Sequence, residues 1–472
     1  MKILLTGATG YIGKRLLPLL AEQGHDIICC VRDKNRFNFP EKYRTQITII
    51  EVDFTIKETL KNIPTNIDAA YYLIHSMSVS ATNYDELERI SAENFIAQLN
   101  QTTVKQVIYL SGIVNDKNLS KHLASRKQVE EILNQANFAT TTLRAGIIVG
   151  SGSASFEIIR DLVNKLPIMI TPKWLNTKCQ PIGISDVLLF LSKTLHNPQT
   201  YNKSFDIGGP DILTYKEMLL AFAKAKKLTR YIFTVPIMTP KLSSYWLYFV
   251  TSTSYKLAVS LVSSMKVEVV CKNNDINKIV NITPISYEEA LAKALNKEQE
   301  DNVASSWKDS LISGRFNTNI SQFIKVPKKD CFIDRRKKEI KDHNYTINKI
   351  WSIGGENGWY YADWLWGLRG FIDKLFGGVG ARRGRTNKQN INAGDTLDFW
   401  RVLYANKDEG KLILYAEMKL PGEAWLEFKI INNYLYQSAT FKPKGFLGKL
   451  YWYSVLPFHG FIFNGMLNKL IG

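Results

Sequence analysis

Between Lys2 and Val149, short apolar runs alternate with longer amphipathic stretches. Lys2 to Thr6 is an apolar run, followed by glycines and then an amphipathic segment from Tyr11 to Gln23, which predicts strand, tight turn and helix. Further strands are expected over Asp26–Val31, Ile47–Val52, Ala69–Ile74, Gln106–Leu110 and Thr140–Val149, with helices over Asn83–Asn100 and Lys121–Asn134. Apolar strands that alternate with helices belong in a parallel sheet covered on both faces. Beyond Gly150 the alternation loosens. Helices are expected over Ile184–Leu195 and Tyr215–Lys226 with a strand at Phe205–Ile207, and Pro236 and Pro240 open a connecting region.

The segment Lys297–Asn319 is polar and lacks an apolar period, which marks a linker. The expected organisation is therefore a first domain over 1–300, a linker over 301–320 and a second domain over 321–472. In the second domain Thr396–Tyr404, Lys411–Leu420, Glu423–Ile430 and Tyr434–Lys442 read as strands of an antiparallel meander, with turns at Asp408-Glu409-Gly410 and Pro421-Gly422. A helix near Pro457–Ile471 completes an α+β arrangement. Two apolar stretches, Leu242–Met265 and Leu450–Asn468, are broken by Lys256 and by Pro457, His459, Gly460 and Asn464. A spanning helix wants a long clean run, so both read as buried or cavity-lining helices, with peripheral contact to a membrane left open.

The formal charge of +18 on 472 residues is the compositional outlier; apolar content of 45% and charged content of 22% are those of an ordinary globular chain. From Ser321 onward 24 Lys/Arg stand against 14 Asp/Glu. Such a balance favours anionic partners, but the basic residues form no nucleic-acid motif, so no nucleic acid is expected. Arg382-Arg383-Gly384-Arg385 is the densest cationic run, suited either to a phosphate or headgroup or simply to solvent. Cys29, Cys30, Cys179, Cys271 and Cys331 are odd in number and form no Cys-x-x-Cys pair, which argues against a disulfide framework or a zinc site; no metal is expected. Met1 and Lys2 lead straight into the first strand, so a cytoplasmic protein is expected, with membrane association left open. Oligomeric state is not legible.

Gly7, Gly10 and Gly13 fit G-x-x-G-x-x-G directly after a strand and at the opening of a helix. There Gly7 permits a sharp turn, Gly10 lets backbone amides approach a diphosphate, and Gly13 lets helix and strand pack closely. At the end of the second strand stands Val31-Arg32-Asp33. Arg32 at the strand end suits a 2′-phosphate and favours NADP(H) over NAD(H), whereas a shift of one residue brings in Asp33 and reverses the preference.

TGATGYIG (6–13), VDF (52–54), IHS (74–76) and YLSG (109–112), with QPIGISDV (180–187) and FDIGGP (205–210), resemble the atypical short-chain dehydrogenase/reductases, nearest their NmrA-like and NAD-dependent epimerase-like branches. The resemblance covers most of residues 1–300. It implies a Rossmann fold holding NAD(P) through Gly7, Thr9, Gly10, Tyr11, Ile12, Gly13, Arg32, Asp53, Phe54, Ile74, His75 and Ser76. Active members carry a Tyr-x-x-x-Lys pair after the fifth strand and a serine at its end. Here Ser111 matches the serine, but the pair is replaced by His122 and Arg126. Either Ser111, His122 and Arg126 form a modified proton relay, or the helix merely binds cofactor. Arg144, Gly146, Ser151 and Ser153 fall where relatives border the substrate.

The segments 394–402, 416–428 and 441–467 look like a domain of unknown function fused behind such Rossmann modules, and are similar to helix-grip folds of the START and polyketide-cyclase type. That likeness implies an apolar cavity for a hydrophobic molecule, and the six tryptophans from Trp359 to Trp452 suit either such a cavity or a filled core. The expected fold class is thus a Rossmann-type doubly wound parallel α/β sheet followed by an α+β, helix-grip-like domain with an antiparallel sheet. Two functions follow: an NAD(P)(H)-dependent oxidoreductase for a hydrophobic carbonyl or quinone-like substrate, or a dinucleotide-binding sensor without turnover.

Overall fold

The computed structural model describes the chain except for residues 35–36, 38, 76–83, 116–120, 236–239, 252–254, 300–323, 381–384 and 386–389. The chain divides into two compact units, Met1–Gly314 and Arg315–Gly472. The expected linker at 301–320, together with Ser76, Arg382 and Arg383, lies outside the described residues.

In the first unit, strands β1 (Lys2–Leu5), β2 (Asp26–Val31), β3 (Ile47–Glu51), β4 (Ala69–Tyr72), β5 (Gln106–Gly112), β6 (Ala139–Ala145) and β7 (Lys203–Ile207) form a seven-stranded parallel sheet in the order β7-β6-β5-β4-β1-β2-β3. The central strands are apolar throughout because both faces are covered. Ile3, Leu5 and Tyr71 enter one core layer, and Leu4, Ala70 and Tyr72 the other. Helix α1 (Gly13–Glu22) lies in the first layer, whereas α2 (Tyr84–Leu99) contributes Ala92, Phe95 and Leu99 to the second. The strand order reverses between β1 and β4, so the crevice at their carboxyl ends is the topological switch point.

One strand was expected over Thr140–Val149, but the chain leaves β6 at Ala145 and bends at Gly146, where an added Cβ would lie 3.0 Å from the Gln180 carbonyl. Ile148–Val149 then pairs with Ile182–Gly183 in a separate ribbon. Leu242–Met265 is two helices, Pro240–Val250 and Tyr255–Ser264, and Leu247, Tyr248, Ala258 and Val262 are buried in a core cluster with Phe156, Leu162 and Val163 of the helix Ala154–Lys165.

The second unit is a six-stranded antiparallel sheet whose strands are β8 (Phe332–Glu339), β9 (Thr396–Leu397), β10 (Trp400–Asn406), β11 (Lys411–Ala416), β12 (Gly422–Ile431) and β13 (Tyr434–Pro443), in the order β8-β13-β12-β11-β10-β9. The single strand expected over Thr396–Tyr404 is a hairpin. Asp398 takes a positive φ of 51° between its arms, and its carboxylate accepts the Trp359 indole N–H at 2.9 Å. The final helix, Gly445–Ile471, begins twelve residues before the expected Pro457, which it carries inside. Its buried side, including Gly448, Trp452, Phe463 and Met466, packs over the sheet with a second helix, Asp363–Leu375, alongside. Three of the tryptophans pack together: Trp359 lies 5.0 Å from Trp366 and 6.1 Å from Trp400 between ring centroids. Beneath them a fully buried Arg401 forms a salt bridge to Glu417 at 3.1 Å and donates to the Gly394 carbonyl at 2.7 Å.

Among the described residues no helix is long and apolar enough to cross a membrane, no group of His, Cys, Asp and Glu is placed to hold a metal, and all five cysteines are free. Burial pushes the Cys29 and Cys179 thiols up to about 12, so neither is a nucleophile at neutral pH.

Candidate cofactor and active site

At the carboxyl end of β1 the chain turns through Gly7, whose φ is +64°. A Cβ on Gly7 would sit 2.4 Å from the Leu73 carbonyl oxygen, and one on Gly13 would sit 2.3 Å from the Gly7 carbonyl oxygen, so no larger residue fits at either position. The Gly10 amide closes the turn onto the Gly7 carbonyl at 2.8 Å. Thr6 ties the loop to β4, donating to the Tyr71 carbonyl at 2.9 Å and accepting from the Leu73 amide at 3.0 Å. Gly7, Thr9, Gly10, Tyr11 and Ile12 all retain accessible surface, whereas Gly13 is buried under the helix. Ile12 starts α1 with no side-chain cap, and the first turn carries no acidic residue. The orphan amides and positive end of the helix thus accept an anion without competition from a side chain. A diphosphate fits this cradle.

The other candidates separate by environment. Arg32, one residue beyond β2, is exposed; Asp33 is 5% exposed and engaged within the protein. Asp53 accepts the Thr55 amide at 2.9 Å and hydroxyl at 2.6 Å, which stiffens the turn after β3. Phe54 is a core residue, its ring 5.7 Å from Phe95, and Ile74 is half-buried against the same layer. The Tyr11 ring lies under the Arg15 guanidinium at 4.0 Å, and Arg15 donates to the Ser151 carbonyl at 2.8 Å, so Tyr11 braces the glycine loop against the loop at 150–153. Burial pushes the Tyr11 hydroxyl up to about 12. Ser153 is the N-cap of the helix Ala154–Lys165, accepting the Phe156 amide at 3.2 Å, and Ser151 is buried. Arg144 is committed to Glu130 at 3.0 Å, with Asp206 at 4.0 Å. These placements give Ser153 and Arg144 internal partners, and Gly146 its tight fit to Gln180.

Beyond the loop the structure gathers residues from four elements. His75 follows β4, Ser111 ends β5, and His122 and Arg126 lie on the helix Lys121–Leu133; to these the fold adds Glu88 from α2. His75 Nδ1 is 2.8 Å from Glu88 Oε1, and the Ser125 hydroxyl donates to the other carboxylate oxygen. A carboxylate only accepts, so His75 carries its proton on Nδ1 and keeps a lone pair on Nε2. The two imidazole rings lie 4.9 Å apart at 47°. The Arg126 guanidinium donates to the Leu110 carbonyl at 3.3 Å. His75 Nε2, His122 Nδ1 and Arg126 Nε are buried without a hydrogen-bond partner, a concentration of idle polar atoms that a folded protein normally avoids, while the Ser111 hydroxyl lies beside that of Tyr109. Burial first, and Arg126 second, lower the affinity of His75 for a second proton, against the opposing pull of Glu88. Burial, His75 and Arg126 hold His122 well below the usual histidine range. Both rings are neutral at pH 7, and each then has one nitrogen to donate and one to accept.

Glu88 was invisible to spacing, since only the fold brings it to His75 thirteen positions earlier, and its burial to 3% exposure is a property of that fold. The two distant motif segments also meet. Gln180 donates to the Gly209 carbonyl at 2.7 Å, and a Cβ on Gly209 would lie 2.5 Å from the Pro181 carbonyl.

Comparison with known proteins places this geometry. Residues 7–161 match the NAD(P)H-binding family model, and residues 328–466 match a family described as a protein of unknown function, DUF2867. The photosystem II assembly factor Ycf39 of Trieres chinensis is 24% identical over 213 residues, which are 44% of this chain and 64% of that protein. The chloroplastic divinyl chlorophyllide a 8-vinyl-reductase of Arabidopsis thaliana is 21% identical over 226 residues, 44% of this chain and 54% of its own length. The chain thus spans less than two thirds of either relative. The crystal structure of an NADPH-dependent quinone oxidoreductase from Escherichia coli, complexed with NADPH, is 16% identical with a TM-score of 0.50, covering 62% of this chain and all of that one. That likeness shows the fold.

Proposed function

We propose that this chain, which joins an NAD(P)-binding Rossmann domain of the NmrA- and epimerase-like short-chain dehydrogenase type to a C-terminal DUF2867 domain, is an NADP(H)-dependent oxidoreductase for a hydrophobic carbonyl or quinone-like substrate. The observation that carries the reading is the cluster of idle polar atoms on His75, His122 and Arg126, of which His75 stands two residues beyond the Leu73 carbonyl that seals the glycine loop. Burying such groups without a partner costs about 1–3 kcal/mol each, a cost that a bound ligand removes.

The nicotinamide supplies or accepts the hydride. This chain's residues do the rest. Amides around Gly7 to Ile12 bind the diphosphate. Exposed Arg32 takes the 2′-phosphate, because Asp33, the residue that would select NAD(H), is turned into the protein. In the reducing direction His122 takes a proton from solvent and gives it to the substrate oxygen as the hydride arrives, returning to the neutral imidazole; in the oxidising direction the neutral ring accepts that proton. His75, fixed in one tautomer by Glu88, lies against His122 and holds its ring in place, and Ser111 orients the oxygen. Arg126 replaces the family's lysine as a fixed cation beside the ribose. A guanidinium does not give up its proton, so the relay runs through the imidazoles. A cytoplasmic setting and a hydrophobic ligand in the second domain belong to the same proposal.

NADPH fluorescence on mixing tests binding, and absorbance loss against a panel of quinones and aldehydes tests turnover. The expected result is NADPH oxidation that falls about a hundredfold in His122→Ala while NADPH binding persists. Binding without turnover, unchanged by His122→Ala, would instead favour the dinucleotide sensor.

A further inference from the structure

We infer that the second unit docks on an anionic bilayer surface through the outer faces of its two helices, α12 (Asp363–Leu375) and α13 (Gly445–Ile471). The inference stands independently of the nicotinamide chemistry.

The outer face of α12 presents Trp364, Leu368, Phe371 and Leu375, spaced by four, three and four positions and between 47% and 68% exposed. That is an amphipathic stripe turned the wrong way for a helix in water. Along the first half of α13 the exposed residues include Phe446, Leu450, Tyr453, Phe458 and Phe461. Farther on, the exposed positions become Asn464, Asn468 and Lys469, so the apolar surface stops within the helix. The two helices are neighbours: Trp366 meets Phe463 at 6.3 Å, and the Arg369 guanidinium lies 6.0 Å from the Tyr451 ring. Their exposed apolar residues therefore lie on adjacent helices, a concentration that soluble surfaces normally keep small. The opposite side of α13 is committed to the sheet through Gly448, Trp452 and Met466, so the helix lies along a surface and does not cross one.

Charge decides the occupant. Lys442, Lys444 and Lys449 are exposed where α13 begins, and Lys419 donates from its ammonium to the carbonyl of exposed Phe376 at 2.8 Å. From Lys442 to Gly472 the chain has no acidic residue. The two carboxylates on α12 are already used, Asp363 by the Trp359 amide and Asp373 by the Lys419 and Gly380 amides. A second copy docked on the same patch would bring more apolar residues and lysines but no acidic residue from this helix to answer them. Aromatic and leucine side chains rimmed by lysines instead match the acyl boundary and headgroups of an anionic membrane.

Flotation of the full chain with vesicles tests this, using phosphatidylcholine alone and phosphatidylcholine mixed with phosphatidylglycerol. The chain is expected to float with the mixed vesicles and far more weakly with the neutral ones. Phe371→Ser combined with Phe458→Ser, both at exposed positions, should abolish flotation with an unchanged circular dichroism spectrum. Lys442→Glu and Lys449→Glu should each lower binding to the mixed vesicles about fivefold and leave the neutral ones unaffected. A chain that stays in the aqueous fraction with both vesicles overturns the inference. So does an apolar double variant that floats like the parent, or a dimer that this variant dissolves while vesicles are ignored.

Discussion

Arg32 and Asp33 are adjacent in the chain and opposite in environment, and on the proposed reading that difference selects which one meets a ribose. Replacing Arg32 by Glu should weaken NADPH binding at least about tenfold, the scale of one charge-assisted contact to phosphate, and leave NADH binding level or improved. Fluorescence titration of the two cofactors reads the ratio. Glu88→Gln retains the shape of the site but lets either imidazole tautomer form at His75. Turnover should fall about tenfold or more while NADPH affinity holds, and a KM-against-kcat split separates this positioning effect from a general loss of structure. At this scale the glycines were legible because their spacing states a backbone need. The proposed relay was half legible: His122 and Arg126 stand out by replacing a known pair, but His75 looked like a cofactor contact and nothing in the sequence singles out Glu88. Ser153, read as a substrate contact, is engaged as a helix cap, which a Gly/Ser loop in sequence does not distinguish.

Elements were legible where burial is two-sided or the apolar period is long. The strands β1, β2 and β4 announced themselves because no charged residue follows their first position, whereas β6, which reads ATTTLRA, is carried by its place in the alternation. β8 did not, since Phe332–Glu339 reads FIDRRKKE, a charge run; it is nevertheless a strand, with alternate residues half-covered and its Asp334 carboxylate answering Arg336 at 2.9 Å. α12 escaped notice because its apolar stripe follows directly on other tryptophans, and α13 was cut short at a proline that the helix tolerates. One buried contact in the second unit has no sequence signal, the Arg401–Glu417 ion pair that joins β10 to the residue following β11. Glu417→Ala leaves a guanidinium buried without its carboxylate and should destabilise the second unit by about 3–5 kcal/mol, read as a shift in the urea midpoint of tryptophan fluorescence. Removing both partners together should cost less than the single change.

For the whole molecule, the buried histidines give stability a direction with pH. His75 and His122 bind a proton less readily in the folded chain than when unfolded, where the value is 6.5. The unfolded state therefore takes up more protons, and the stabilisation is complete above about pH 6.5 and is lost progressively as pH falls below it. His459, lowered chiefly by burial despite Asp334, acts the same way in the second unit. Melting temperature should thus fall between pH 7 and pH 5. In His122→Gln the transition of the first unit should become flatter with pH, while that of the second is unchanged. Two melting transitions are expected from two units with separate cores. That the chain would divide was legible from its length and from the change of texture past residue 320, whereas the direction of helix faces was not, because exposure is a property of the assembled fold.

One further consequence lies in the charged border strand of the second sheet. An antiparallel sheet that ends in bare backbone is a template on which other copies can grow, and crowding makes that growth hard to reverse. Arg335 and Lys337 point outward along this border, and any copy offering the same border brings the same cations. Exchanging both for threonine and valine should leave the fold intact while making concentrated solutions prone to fibrils, detectable by thioflavin fluorescence.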